Sequence, residues 1–229
     1  MTGLDARRAD LIPAGSMVLM TAMELFGLDR LTVSDWALRE GIVLDAIGHH
    51  EAADWSGDSA AIRLSSVLNL CRRCSWDERH GRQVARLGLS LFDQLRGIHR
   101  LGAADRELLE YGALLHDIGE HVAVEGHHKH SAYLIEHGRL RGFDPTEVAM
   151  LGCLGRFHRR GEPKPSFGPF ASLEPPIRDR VTRLVALLRL ADGLDRSHMG
   201  TVRHVHVLGV NDATVTLGIE ADGDADLQL

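Results

Sequence analysis

The sequence predicts a mainly α-helical protein with a small mixed α/β opening and a closing β-hairpin. Apolar residues recur at helical spacing from about residue 60 to about residue 197, and the period changes to alternation after Gly200. Between Gly48 and Asp58 neither period is present. The chain therefore divides into an opening block at 1–47, a linker at 48–58, a helical domain at 59–199 and a β segment at 200–229.

In the opening block, Met17 to Phe26 has a helical pattern and Leu31 to Val33 the composition of a short strand. The first helix of the domain is expected at Ala60 to Cys74. Glu78 to Leu95 follows, with His80, Val84, Leu87, Leu91 and Leu95 on a single face. Ala104 to Asp117 comes next, with Asp105 as its expected cap. His130 to His137 is a further helix, and Pro145 suits the first position of another that runs to about Arg160. Residues 161–176 hold five of the seven prolines and are expected to form a surface loop. Ile177 to Leu194 returns to helical spacing, and Val181, Leu184, Val185, Leu188 and Asp192 share a face. The hairpin pairs the Val202, Val205, Val207 stretch with Ala213 to Leu217 around Asn211-Asp212, and needs a partner, because isolated hairpins are marginal.

A net charge of −6 excludes bulk nucleic-acid binding, which rests on a cationic face. The charge is uneven: between His121 and Lys164 seven Lys and Arg face five acids and six histidines, a composition suited to an anionic substrate. No apolar run approaches the roughly 20 residues of a membrane span. The first ten residues lack the apolar stretch of a secretory signal, so the cytoplasm is the expected location. Cys71 and Cys74 have CxxC spacing but no second pair to complete a zinc site, and read as ordinary helix cysteines.

The chemistry centres on Tyr111-Gly112-Ala113-Leu114-Leu115-His116-Asp117-Ile118-Gly119. Periodicity turns His116 inward, and ionisable groups buried without a partner cost several kcal/mol. His80 and Asp192 lie on the apolar stripes of two other helices. Two imidazoles and two carboxylates make a mixed N/O set suited to a divalent metal such as Mn, Mg, Fe or Zn. His116 and Asp117 are the candidate catalytic core, since a metal held there could polarise a phosphoryl oxygen. His130 and His158 are candidates to join a second metal. Lys129, Arg159 and Arg160 are candidate phosphate contacts. Asp195 and Arg196 either orient a ligand or are plain polar residues beyond a helix end. His49, His50, His198, His204 and His206 share no face with the cluster and read as surface.

The order His80, His116-Asp117, Asp192 resembles the H…HD…D signature of HD-superfamily metal-dependent phosphohydrolases, whose fold is all-helical. A longer resemblance covers nearly the whole chain. Arg8 to Gly15, Ser34 to Gly41, Gly126 to Ile135 and Phe157-His158-Arg159-Arg160 look like the carboxyl-terminal half of the exopolyphosphatase and guanosine pentaphosphate phosphohydrolase (Ppx/GppA) family. That resemblance implies an HD-domain-like helical bundle, preceded by the end of the second lobe of an actin-like (ribonuclease H-like) phosphatase core and followed by the start of a terminal β region. It also implies polyphosphate or guanosine penta- and tetraphosphates as ligands, and a homodimer.

The family's phosphate loops and catalytic glutamate belong to the actin-like lobes, and no Gly-rich phosphate loop occurs in this sequence. The resemblance thus implies an excised piece, a proteolytic fragment or one product of a split gene. Some relatives lack the aspartate of the HD pair and use this domain for binding or dimerisation, whereas His80, His116, Asp117 and Asp192 are all present here. Two functions follow as expectations: a metal-dependent phosphohydrolase site in the helical domain, or a non-catalytic polyphosphate-binding and dimerisation module serving an actin-like core outside this chain.

Overall fold

The computed structural model describes residues 11–32, 41–42, 59–159, 161–211 and 213–222. The chain separates into two units at Ser56/Gly57. In the first, helix α1 (Ile12–Phe26) has Pro13 in its first turn and ends on Gly27, whose φ of +62° needs glycine. It begins five residues before the expected Met17, because Pro13 presets a helical φ. Leu31 and Thr32 lie in no strand, correcting the short strand expected there, while Val33, the linker expected at 48–58 and Arg160 lie outside the described residues.

The second unit is mainly α with a terminal two-stranded sheet. Its helices are α2 (Ser59–Arg73), α3 (Glu78–Gln94), the single turn α4 (Arg96–His99) and α5 (Ala103–Leu115). A 3₁₀ turn at Ile118–His121 leads to α6 (His127–His137), α7 (Pro145–Phe157), the short α8 (Gly168–Ser172) and α9 (Pro175–Gly193). The apolar stripes behave as expected: Val84, Leu87 and Leu91 of α3, Leu108, Leu109 and Leu115 of α5, Leu151 and Leu154 of α7, and Val181, Leu184 and Leu188 of α9 form one buried core. Fully burying each such side chain contributes about 1.5–3 kcal/mol.

Two local expectations change. Asp105 is the third residue of α5 rather than its cap. Its Oδ2 accepts the Gly102 N–H at 3.0 Å, and its Oδ1 accepts Arg180 Nε at 2.7 Å, tying α5 to α9. The proline-rich 161–176 segment is not wholly loop, since α8 seats Phe170 in the core. Asp144 and Glu147 cap α7 reciprocally, each side chain accepting the other's backbone N–H at 2.9–3.0 Å.

Strands β1 (Val202–Val210) and β2 (Val215–Ala221) pair antiparallel. The partner of the hairpin is a helix. Val202 and Val205 are buried, and side chains of α3 satisfy the free edge of β1: Gln94 donates to the Val205 carbonyl at 2.9 Å and accepts Val207 N–H at 2.8 Å, and Arg86 donates to the Val202 carbonyl at 2.9 Å.

The turn after α5 is held against α6 by a close approach that only glycine permits. Gly119 N–H donates to Ser131 Oγ at 2.9 Å, and a Cβ at residue 119 would run into the His127 carbonyl oxygen and the Ser131 nitrogen, both backbone atoms that cannot yield cheaply. Gly119→Ala is therefore expected to destabilise the domain by about 2 kcal/mol or more. Urea denaturation followed by circular dichroism reads this directly; an unchanged midpoint would contradict it.

Candidate metal centre

His80 enters from the first turn of α3, His116 and Asp117 from the end of α5, His127 from the start of α6, His158 from the end of α7 and Asp192 from the end of α9. The four imidazoles are buried, and the two carboxylates are partly buried. Two groups of donor atoms result: His80, His116, Asp117 and Asp192, and Asp117, His127 and His158. Asp117 belongs to both, one oxygen to each.

In the first group, His80 Nε2 lies 3.2 Å from His116 Nε2, 3.6 Å from Asp117 Oδ2 and 3.4 Å from Asp192 Oδ1. In the second, His127 Nε2 and His158 Nε2 are 3.2 Å apart, and each is 3.2 Å from Asp117 Oδ1. Donor atoms about 2.1 Å from a shared cation lie about 3.0 Å apart at right angles and about 3.4 Å apart at tetrahedral angles, so both groups have the spacing of a coordination shell.

The hydrogen-bond pattern fixes which nitrogens face inward. His116 Nδ1 donates to the Ala113 carbonyl at 2.7 Å, His127 Nδ1 to Val124 at 2.9 Å, His158 Nδ1 to Gly155 at 2.9 Å and His80 Nδ1 to Asp195 Oδ2 at 2.9 Å. Each partner can only accept, so each Nδ1 carries the proton and, in the neutral ring, each Nε2 presents a lone pair to the centre. Lone pairs facing each other at 3.2 Å repel unless a proton or a cation lies between them. Asp117 Oδ1 is likewise buried and, though close to two imidazoles, accepts a hydrogen bond from neither. An orphaned buried oxygen aimed at two lone pairs fits a cation, and the donor set therefore fits a divalent metal.

The carboxylates favour positive charge around them, as the shifts of their neighbours show. Burial lowers the His80 pKa, but Asp192 and Asp195 outweigh it and raise it to about 8. For His116, full burial is overcome by Asp117 and Asp192, and the pKa stands well above the ordinary value. Burial pushes Asp117 and Asp192 up, yet the surrounding imidazoles hold both far below the carboxylate range. His127 is raised by Asp117, whereas burial lowers His158 despite Asp117.

A cleft of about 510 Å³ opens onto this centre, lined by Asp117, Glu120, His127, His158, Asp192 and His198 and by three arginines, Arg159, Arg189 and Arg196. Of the expected phosphate contacts, Arg159 lines the cleft, Lys129 is exposed and is not among its lining residues, and Arg160 lies outside the described residues. His130 is half-buried and belongs to neither donor group; His127, one turn earlier on the same helix, occupies that place. Sequence reading misses His127 by starting the helix at His130, although the buried series His127, Ser131, Ile135 steps back to it at intervals of four. Arg189 is legible in the same way, three residues before Asp192 on α9, whereas Arg196 lies beyond the end of that helix. His198 is not simply surface: its ring stacks on His80 with centroids 3.6 Å apart and planes 5° apart.

Residues 62–225 match the family model described as Ppx/GppA phosphatase, domain III. The chain belongs to the Ppx/GppA phosphatase family. Residues 1–50 match a second model, described as the Ppx/GppA phosphatase family. Among curated Ppx/GppA relatives, proteins named guanosine-5'-triphosphate,3'-diphosphate pyrophosphatase from Aeromonas hydrophila and Vibrio vulnificus are 30% and 29% identical over 220 residues, or 95% and 96% of this chain. The protein of that name from Aeromonas salmonicida is 31% identical over 163 residues, 71% of this chain. The chain spans 42% of the length of the first two relatives and 31% of the third. Among the described residues no helix is long and apolar enough to cross a membrane.

In the presence of a chelator the pH dependence of stability follows from these shifts. The raised His80 contributes stability fully below its ordinary 6.5, and loses it as pH climbs through about 8. The depressed Asp117 and Asp192 contribute above their ordinary 3.8 and lose their contribution as pH falls towards their folded values. The cluster is thus expected to be most stabilising between about pH 4 and 6.5 and to weaken as pH rises from 6.5 through about 8. Urea midpoints with EDTA between pH 4 and 9, compared with those of Asp192→Asn, measure it; a wild-type advantage that does not fall between pH 6.5 and 9 would contradict it.

Proposed function

We propose that the helical domain of this chain is a metal-dependent phosphohydrolase site of HD type. The observation that carries this reading is the convergence of four imidazole Nε2 lone pairs on one shared carboxylate. His80, His116, Asp117 Oδ2 and Asp192 would hold one divalent cation, and Asp117 Oδ1, His127 and His158 a second. A divalent pair supplies Lewis acidity and charge neutralisation at a phosphoryl group, and Mn, Mg, Fe and Zn are all compatible with such N/O donors.

The protein's own groups do the rest. Nδ1 hydrogen bonds hold each imidazole in one tautomer, so that no reorganisation is needed when an anion arrives. Arg159, Arg189 and Arg196 line the same cleft as Asp117 and Asp192, and planar guanidinium groups there bind non-reacting phosphate oxygens in bidentate fashion. The name shared by the relatives makes guanosine 5'-triphosphate 3'-diphosphate the first substrate to test, and inorganic polyphosphate the second.

One observation favours the second reading, a polyanion-binding module without turnover: the arginine rim would hold phosphates without a cation. The two separate on metal content and activity. Protein purified without chelator is expected to carry up to two equivalents of metal by mass spectrometry and to release phosphate in the presence of Mn²⁺. His116→Ala and Asp117→Asn are expected to lose metal and to cut turnover more than about a hundredfold, beyond what removal of an outer hydrogen-bond partner does. Metal-free wild-type protein with background turnover unchanged in both variants would overturn the phosphohydrolase reading.

A further inference from the structure

Asp195, immediately beyond α9, is fully buried. Its Oδ2 accepts the Nδ1–H of His80 at 2.9 Å, and its Oδ1 accepts the Gly200 N–H at 2.8 Å. The other three imidazoles of the centre give their Nδ1–H to the backbone carbonyls of Ala113, Val124 and Gly155. His80 therefore differs from them in having a charged outer partner. A carboxylate in that position fixes the tautomer and ring orientation and makes the inward nitrogen a better donor.

The same carboxylate closes a tight turn. His198 N–H donates to the Asp195 carbonyl at 2.8 Å, and His198 and Gly200 both adopt left-handed backbone, with φ of +57° and +63°. For a histidine that conformation costs about 1 kcal/mol or more, so it persists only where surrounding contacts impose it. Its result is that the His198 ring lies flat against the ring of His80. Asp77 braces both from the start of α3, Oδ1 accepting the His80 N–H at 3.1 Å and Oδ2 lying 3.4 Å from His198 Nδ1. Arg79 donates to the Met199 carbonyl of the same turn.

We infer that Asp195 is a positioning residue with two coupled tasks. It holds His80 as a cation donor from one side and, through Gly200, seats His198 on the face of the same ring. One buried carboxylate thereby sets both the cation affinity of the His80 group and the order of the 195–200 turn. This rests on the metal reading above.

Mn²⁺ titration calorimetry and amide hydrogen exchange of the full chain test it, with Asp195→Asn and Asp195→Ala. Asparagine has the same size and can still accept the His80 proton, but it is neutral and leaves no second acceptor for Gly200. Asp195→Asn is expected to weaken Mn²⁺ binding at the His80 group about tenfold to a hundredfold and to speed exchange at Gly200. Binding at the His127 and His158 group, whose imidazoles make no hydrogen bond to Asp195, should weaken less than binding at the His80 group even though Asp117 is common to both, whereas a general loosening of the fold would weaken both alike. Asp195→Ala should do the same more strongly; if it does not fold, Asp195→Asn carries the test alone. Wild-type affinity at the His80 group, or unchanged exchange at Gly200, would overturn the inference. Wild-type protein that takes up no Mn²⁺ overturns the metal reading, and this inference with it.

Discussion

The structure of this domain turns on one carboxylate with four imidazoles around it. Asp117 sits at the junction of α5 and the 3₁₀ turn, and its two oxygens face opposite groups of histidines. Burying so many ionisable groups is costly unless each is matched, and here each outer nitrogen is matched by a fixed acceptor while the inner nitrogens are matched only by one another and by carboxylates. The close packing of Gly119 on Ser131 keeps the turn after Asp117 in place, so the carboxylate is positioned by backbone rather than by a flexible side chain.

Charge is graded from the inside outwards. Asp195 and the Asp117–Asp192 pair concentrate negative charge at the His80 side, whereas the cleft rim is cationic through Arg159, Arg189 and Arg196, with Glu120 as its acidic member. Such a gradient would favour a cation in the interior and an anion at the mouth. That polarity would suit a phosphorylated ligand in either of the two proposed functions, which differ in whether the interior holds metal and whether the ligand is turned over.

Much of this arrangement was legible in the sequence. The apolar stripes located the core, and the inward positions of His80, His116 and Asp192 followed from the same stripes because helical period fixes direction as well as burial. His127 was not legible from its own neighbourhood, since Gly126 with a φ of +73° launches α6 from a turn and His127-His128 looks like loop until the buried i, i+4 series is followed backwards. His198 could not have been found from period at all. Its place depends on a left-handed backbone and a hydrogen bond between Asp195 and Gly200, neither of which leaves a periodic trace. The hairpin's partner was hidden for a related reason: hydrogen bonding of β1 to the side chains of Gln94 and Arg86 on α3 is a long-range match that strand patterns do not encode.

The contact between His80 and Asp195 spans 115 residues of chain. Closing so long a loop is entropically costly, and it must await the docking of α9 and of the turn beyond it. During synthesis, a ribosome-bound chain that has released α3 through α7 already holds His80, His116, Asp117, His127 and His158, but not the residues that complete the His80 side. Completion of the His80 group therefore waits on α9 and the turn beyond it, whereas every residue of the His127 and His158 group lies earlier in the chain.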